Sequence, residues 1–240
     1  FEKALQDYNT AISLDPNDAE LFKNRGAIYL KLGKLSEALE DFNRSINLNQ
    51  FDVTTHINRG LLYIELRMFS DALNEFNYSI EQNPNDPRIY YARGVTYNEL
   101  KLYSKAIEDL NTAIEFEPNL ELYHYERSRS YIGNAQYEKA LLDINRVIEI
   151  NPDNFEALKI RETLSAYIQE HLQHFDNSKE KVCNQPSDLQ VYLSIARTHN
   201  VLGNFTEAIK ILDTIVNLDP KYAEAYYWRG TTYNDLGQYK

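Results

Sequence analysis

The 240-residue chain carries 25 Lys and Arg against 36 Asp and Glu, a net charge of −11, with 43% hydrophobic and 12% aromatic residues. That apolar content can fill a core and excludes a disordered tail, while the acid excess argues against nucleic acid and anionic membrane as partners, which need a basic stripe. No apolar run approaches the roughly 18 residues of a membrane span, so no membrane insertion is expected, and the single cysteine, Cys183, rules out an internal disulfide and suits a reducing, intracellular (cytoplasmic) setting.

A fixed period organises the chain. Pro16, Pro84, Pro118, Pro152, Pro186 and Pro220 are separated by 34 residues or a multiple of 34. Gly26, Gly60, Gly94 and Gly230 keep that spacing, as do Ala4, Ala38, Ala72, Ala106, Ala140 and Ala208, and Tyr29, Tyr63, Tyr97, Tyr131 and Tyr233. A repeat of this length indicates a solenoid. The sequence opens on the second half of a repeat, 1–18. Full repeats begin at Ala19, Val53, Pro87, Glu121, Phe155 and Leu189, and a first half begins at Ala223, the layout expected of a fragment of something longer.

Each repeat predicts two helices, twelve to fourteen in all. In the first full repeat Leu21, Phe22, Ile28, Tyr29 and Leu32 fall at helical spacing behind a capping Asp18. Gly33 breaks that helix. Ala38, Leu39, Phe42, Ile46 and Leu48 mark the inward face of the second, and the Asn-Pro or Asp-Pro that closes the repeats stops it. The glycine at position eight and the alanine at position twenty are small because the paired helices cross closely there.

The in-phase residues resemble the tetratricopeptide repeat family: an aromatic at position four (Phe22, Tyr90, Tyr192, Tyr226), then Gly, then Tyr, Ala at twenty and Pro at thirty-two. The resemblance covers nearly the whole chain. It implies an all-α, right-handed superhelical solenoid of antiparallel helix pairs, with first helices lining a concave face. A helix pair cannot bury its apolar face alone, so neighbours are obligatory.

The repeat at 155–188 departs most, with Glu162 and His174 at the two small positions. One long helix from about Phe155 to Phe175 is expected, then an irregular segment or a short polar helix. This divides the chain into a block at 1–154, the degenerate unit at 155–188, and a block at 189–240.

No catalytic constellation and no phosphate loop is evident, so no enzyme activity and no cofactor is expected. His171, His174 and Cys183 lack the frame a metal site needs. Arg25, Arg59, Arg93, Arg127, Arg161 and Arg229 recur at position seven, usually apolar, and Asp41, Glu75, Asp109 and Asp143 at position twenty-three. In the Leu189 repeat both become isoleucine, Ile195 and Ile211, which points to an Arg–carboxylate brace between the helices of one repeat.

The expected function is a non-catalytic scaffold that takes a partner peptide or helix in the concave groove, as a subunit of a larger complex. On the family's groove positions the candidates are Lys23, Asn24, Ile57, Asn58, Leu61, Arg88, Tyr91 and Val95, followed by Tyr125, Arg129, Tyr167, Arg197, Tyr227 and Trp228. Their aromatic and aliphatic content predicts an apolar or aromatic segment of a protein partner. Lys23, Asn58 and Arg88 also match the dicarboxylate clamp of co-chaperones, but Ala27 and Ala92 stand where two of its polar ligands belong. The alternative is a substrate-recruiting or regulatory arm of an enzyme whose catalytic domain lies outside this sequence, and a third reading is a structural subunit of a cytoskeletal or ciliary assembly.

Overall fold

The computed structural model describes the backbone of residues 1–178 and 187–237, and the side chains of 1–168 and 189–237. The described residues form thirteen α-helices and no strand. The chain divides into two compact units, Phe1–Asn134 and Ala135–Lys240.

The first unit holds α1 (Glu2–Leu14), α2 (Ala19–Lys31), α3 (Leu35–Leu48), α4 (Val53–Glu65), α5 (Phe69–Gln82), α6 (Pro87–Glu99), α7 (Tyr103–Phe116) and α8 (Glu121–Gly133). Each helix packs on the next, so α2–α3, α4–α5 and α6–α7 are the paired helices of three repeats. The starts are set by short carboxylates. Asp18, Asp52 and Asp86 accept from the amides of Glu20, Thr54 and Arg88 at 2.8, 3.2 and 3.0 Å, satisfying donors that an open helix start leaves free. The first helix of the repeat ends where Gly33 turns left-handed at φ +71°. Arg67 and Lys101 do the same at φ 57° and 59° and carry the side-chain strain that glycine avoids.

The glycines mark the helix crossings. A methyl group at Gly26 would lie 2.8 Å from the Phe42 ring, at Gly60 2.6 Å from Phe76, and at Gly94 2.9 Å from Leu110. Those three side chains are fully buried, each contributing roughly 1.5–3 kcal/mol by its removal from water. Ala72, Phe76, Ile89 and Ala92 form one such core layer, flanked by Val53, Ile57, Tyr63, Ile64 and Ile80.

The second unit holds α9 (Tyr137–Ile150), α10 (Phe155–Ser178), α11 (Ser187–Val201), α12 (Phe205–Leu218) and α13 (Ala223–Asp235). The 24-residue α10 is the long helix expected of the departing repeat. The irregular segment expected after it lies mostly in 179–186, outside the described residues, as do Cys183 and the side chains of His171 and His174. Helix α11 packs on α9 as well as on α12 and α13, and the Thr198 hydroxyl donates to Glu138 Oε1 at 3.1 Å. The isoleucines of this repeat, Ile195 and Ile211, are both buried.

Candidate interaction surface

The arginine brace is built as the sequence predicts in the first unit. Arg25 grips Asp41 through Nε at 2.8 Å and Nη2 at 2.7 Å, and Arg93 grips Asp109 through the same atoms, both at 2.7 Å. Arg59 puts Nε and Nη2 on one Glu75 oxygen, at 3.1 and 2.6 Å, because His56 Nδ1 holds the other at 2.6 Å. Burial pushes the Glu75 carboxyl up, but His56 and Arg59 outweigh it and hold the group below its ordinary value. Arg127 and Asp143 belong to different units. The third arginine donor has a partner that sequence reasoning missed. Nη1 of Arg25, Arg59, Arg93 and Arg127 donates to Asn9, Asn43, Asn77 and Asn111, at 2.7, 2.8, 2.7 and 2.7 Å. The signal was present, since those asparagines recur at the repeat period. Arg25, Arg59 and Arg93 thereby each tie three successive helices together.

The expected groove cations of the first unit are neutralised within the chain. Lys23 Nζ lies 2.5 Å from Glu20 and 3.4 Å from Asp52. Burial works against its charge, yet these carboxylates hold the ammonium above its ordinary value. Arg88 folds back on the capping Asp86, Nε to Oδ1 at 2.9 Å and Nη2 to Oδ2 at 2.6 Å. Arg129 Nη1 sits 2.9 Å from both oxygens of Glu126, with Glu99 at 3.9 Å. A carboxylate-rich tail would have to displace these acids.

The apolar candidates divide by depth. Ile57 packs onto the core layer and is only partly open. Asn24, Asn58, Val95 and Tyr125 are half-buried, and Leu61 is exposed. Tyr91 lies 5.3 Å from Tyr123, ring to ring, and burial pushes its hydroxyl up to about 12. In the second unit Tyr167 is exposed and meets Tyr137 edge-on at 4.7 Å. The Arg197 guanidinium lies 4.7 Å above the half-buried Trp228 ring and makes no ion pair among the described residues. Tyr227, 66% exposed, meets Trp228 edge-on at 5.4 Å.

Family models described as tetratricopeptide repeat match residues 19–52, 87–120, 123–154 and 193–240, and one described as TPR repeat matches 1–33. The chain is a tetratricopeptide repeat protein. No curated protein matches its sequence. Among solved structures it is similar to a tetratricopeptide repeat protein from Parabacteroides merdae, with 18% identity, 95% of this chain and 90% of that one covered, and a TM-score of 0.61. It is also similar to YrrB, described as a TPR protein with an unusual peptide-binding site, at 16% identity, 92% and 96% coverage and a TM-score of 0.56. A MamA variant gives 21%, 64% and 86%, and 0.59. At these identities the likeness is one of fold. Among the described residues of this tetratricopeptide repeat protein, no three His, Cys, Asp or Glu side chains gather to hold a metal, and no helix is long and apolar enough to cross a membrane.

Proposed function

We propose that this tetratricopeptide repeat protein is a non-catalytic scaffold that binds an apolar or aromatic segment of a partner protein on its first helices, as part of a larger assembly. The observation that carries this reading is the in-chain neutralisation of Lys23, Arg88 and Arg129 by Asp52, Asp86 and Glu126, while Leu61, Tyr167 and Tyr227 stay open. A paired cation gives little net attraction to a second carboxylate, whereas exposed aromatics supply contact area with little entropy to lose. The peptide-binding description of YrrB is in keeping with it.

The lone tryptophan, Trp228, reports binding in the second unit, where Tyr227→Ala is expected to weaken binding of a partner segment about tenfold or more. Titration calorimetry reads the first unit, where Leu61→Ala is expected to weaken binding while Lys23→Ala and Arg88→Ala leave it within about twofold. Affinity that collapses with salt, or is lost in the Lys23 and Arg88 variants but kept in Leu61→Ala, overturns the reading.

A further inference from the structure

A cavity of about 300 Å³ opens between α6, the start of α7 and the end of α8, lined by Asn98, Tyr103, Arg129, Ile132 and Gly133. All five residues belong to the first unit, and Arg129 is the groove candidate among them. Two departures from the repeat shape it. Gly133 brings no side chain, where the same position of α2, α4 and α6 holds Lys31, Glu65 and Glu99. The Tyr103 ring lies where a Gly133 side chain would begin. Asn98 stands where the neighbouring first helices carry Leu30, Ile64 and Ile132.

The polar groups at this cavity are only partly satisfied. Ser130 Oγ donates to Asn98 Oδ1 at 2.8 Å, and Asn98 Nδ2 spends one hydrogen on Glu126 O at 3.4 Å. The Tyr103 hydroxyl makes no hydrogen bond among the described residues. Arg129 Nη1 is held by both oxygens of Glu126 at 2.9 Å. Its Nη2, however, stops 3.9 Å from Glu99 Oε1, too far for a hydrogen bond. A donor and an acceptor therefore stand side by side without meeting, on side chains 45% and 33% exposed.

We propose that this cavity takes the primary amide of a glutamine or asparagine side chain in the partner segment. The amide carbonyl accepts from Arg129 Nη2, and the amino group donates to Glu99. The inference rests on the groove reading and names one side chain of the bound segment. The walls select this occupant. The charged groups that meet at Arg129 are one guanidinium and the two carboxylates of Glu99 and Glu126, so a further carboxylate is repelled. An ammonium group drawn to Glu99 faces the Arg129 guanidinium. An aliphatic side chain would strip water from Asn98, Tyr103 and Arg129 and return no hydrogen bond. A primary amide presents an acceptor and a donor together and serves both halves.

Selection of short random peptides displayed on phage, with the Phe1–Lys240 polypeptide as bait, tests it. The bound sequences are expected to share a glutamine or asparagine beside apolar or aromatic residues. One such peptide is then titrated by calorimetry. Replacing its amide residue by Glu, Lys or Met is expected to weaken binding about tenfold. On Glu99→Ala, which alters an exposed side chain, the same replacements should cost about twofold or less, because the acceptor is already gone. Peptides that bind and respond to Leu61→Ala or Tyr227→Ala but share no amide, or tolerate Glu, Lys or Met in its place, overturn the proposal and leave the groove reading standing. So does an amide whose replacement costs as much on Glu99→Ala as on the parent protein. A selection that yields no binding peptide, or only peptides indifferent to Leu61→Ala and Tyr227→Ala, overturns the groove reading and this inference with it.

Discussion

Removing Asp109 is expected to harm the first unit more than removing the whole ion pair. The carboxylate is 6% exposed and takes two hydrogen bonds of 2.7 Å from Arg93. In Asp109→Ala the guanidinium keeps one side-chain hydrogen bond, to Asn77 at 2.7 Å, its place 5.9 Å from the Tyr90 and Tyr97 rings, and the water that reaches a side chain 20% exposed. Halving a buried pair costs about 3–5 kcal/mol. The partial exposure of Arg93 places this one at the lower end, about 3 kcal/mol, a fall of about 10 °C in melting temperature for a unit of this size. In the double variant Arg93→Ile with Asp109→Ile no charge is stranded, and the Leu189 repeat already packs isoleucines in both places. Its loss should stay near about 1 kcal/mol. Urea unfolding followed by helical circular dichroism gives both values, and amide exchange over α6 and α7 localises them. A double variant as unstable as Asp109→Ala, or more so, refutes the account of the brace.

Glu75 makes the first unit acid-sensitive. Its folded carboxyl titrates below the ordinary 4.5, so the folded state binds that proton more weakly than the unfolded state. The stabilisation is therefore fully present above the ordinary value and is lost as pH falls through the lowered one. Stability measured from about pH 6 to about pH 3 should fall less steeply in Glu75→Gln than in the parent protein. Gly60→Ala should destabilise by about 1–3 kcal/mol, because its methyl would meet Phe76 at 2.6 Å. Gly230→Ala, with no atom within 4 Å, should instead stabilise by about 0.5–1 kcal/mol. Thermal melts of the two variants check the contrast, and equal effects of one sign would refute the reading of the two crossings.

The period of 34 residues determined the helices, their order and the crossing points. These depend on short-range rules: a capping aspartate, a glycine where a ring must pass, an apolar face at helical spacing. The brace was also legible, since Ile195 and Ile211 replace both of its members at once. Only the tertiary structure decided how the groove candidates spend their charges. Lys23 reaches an aspartate whose first duty is to cap the next repeat's helix, and Arg88 turns back on its own cap. Ile57 goes into the core layer while Leu61, one turn on, stays open. The asparagine rungs beneath the arginines were periodic but silent, because an amide has no charge to announce its partner. Long polar side chains choose among several neighbours within reach, and a linear pattern cannot fix that choice. The backbone path, set by buried glycines, alanines and rings at each crossing, leaves much less freedom.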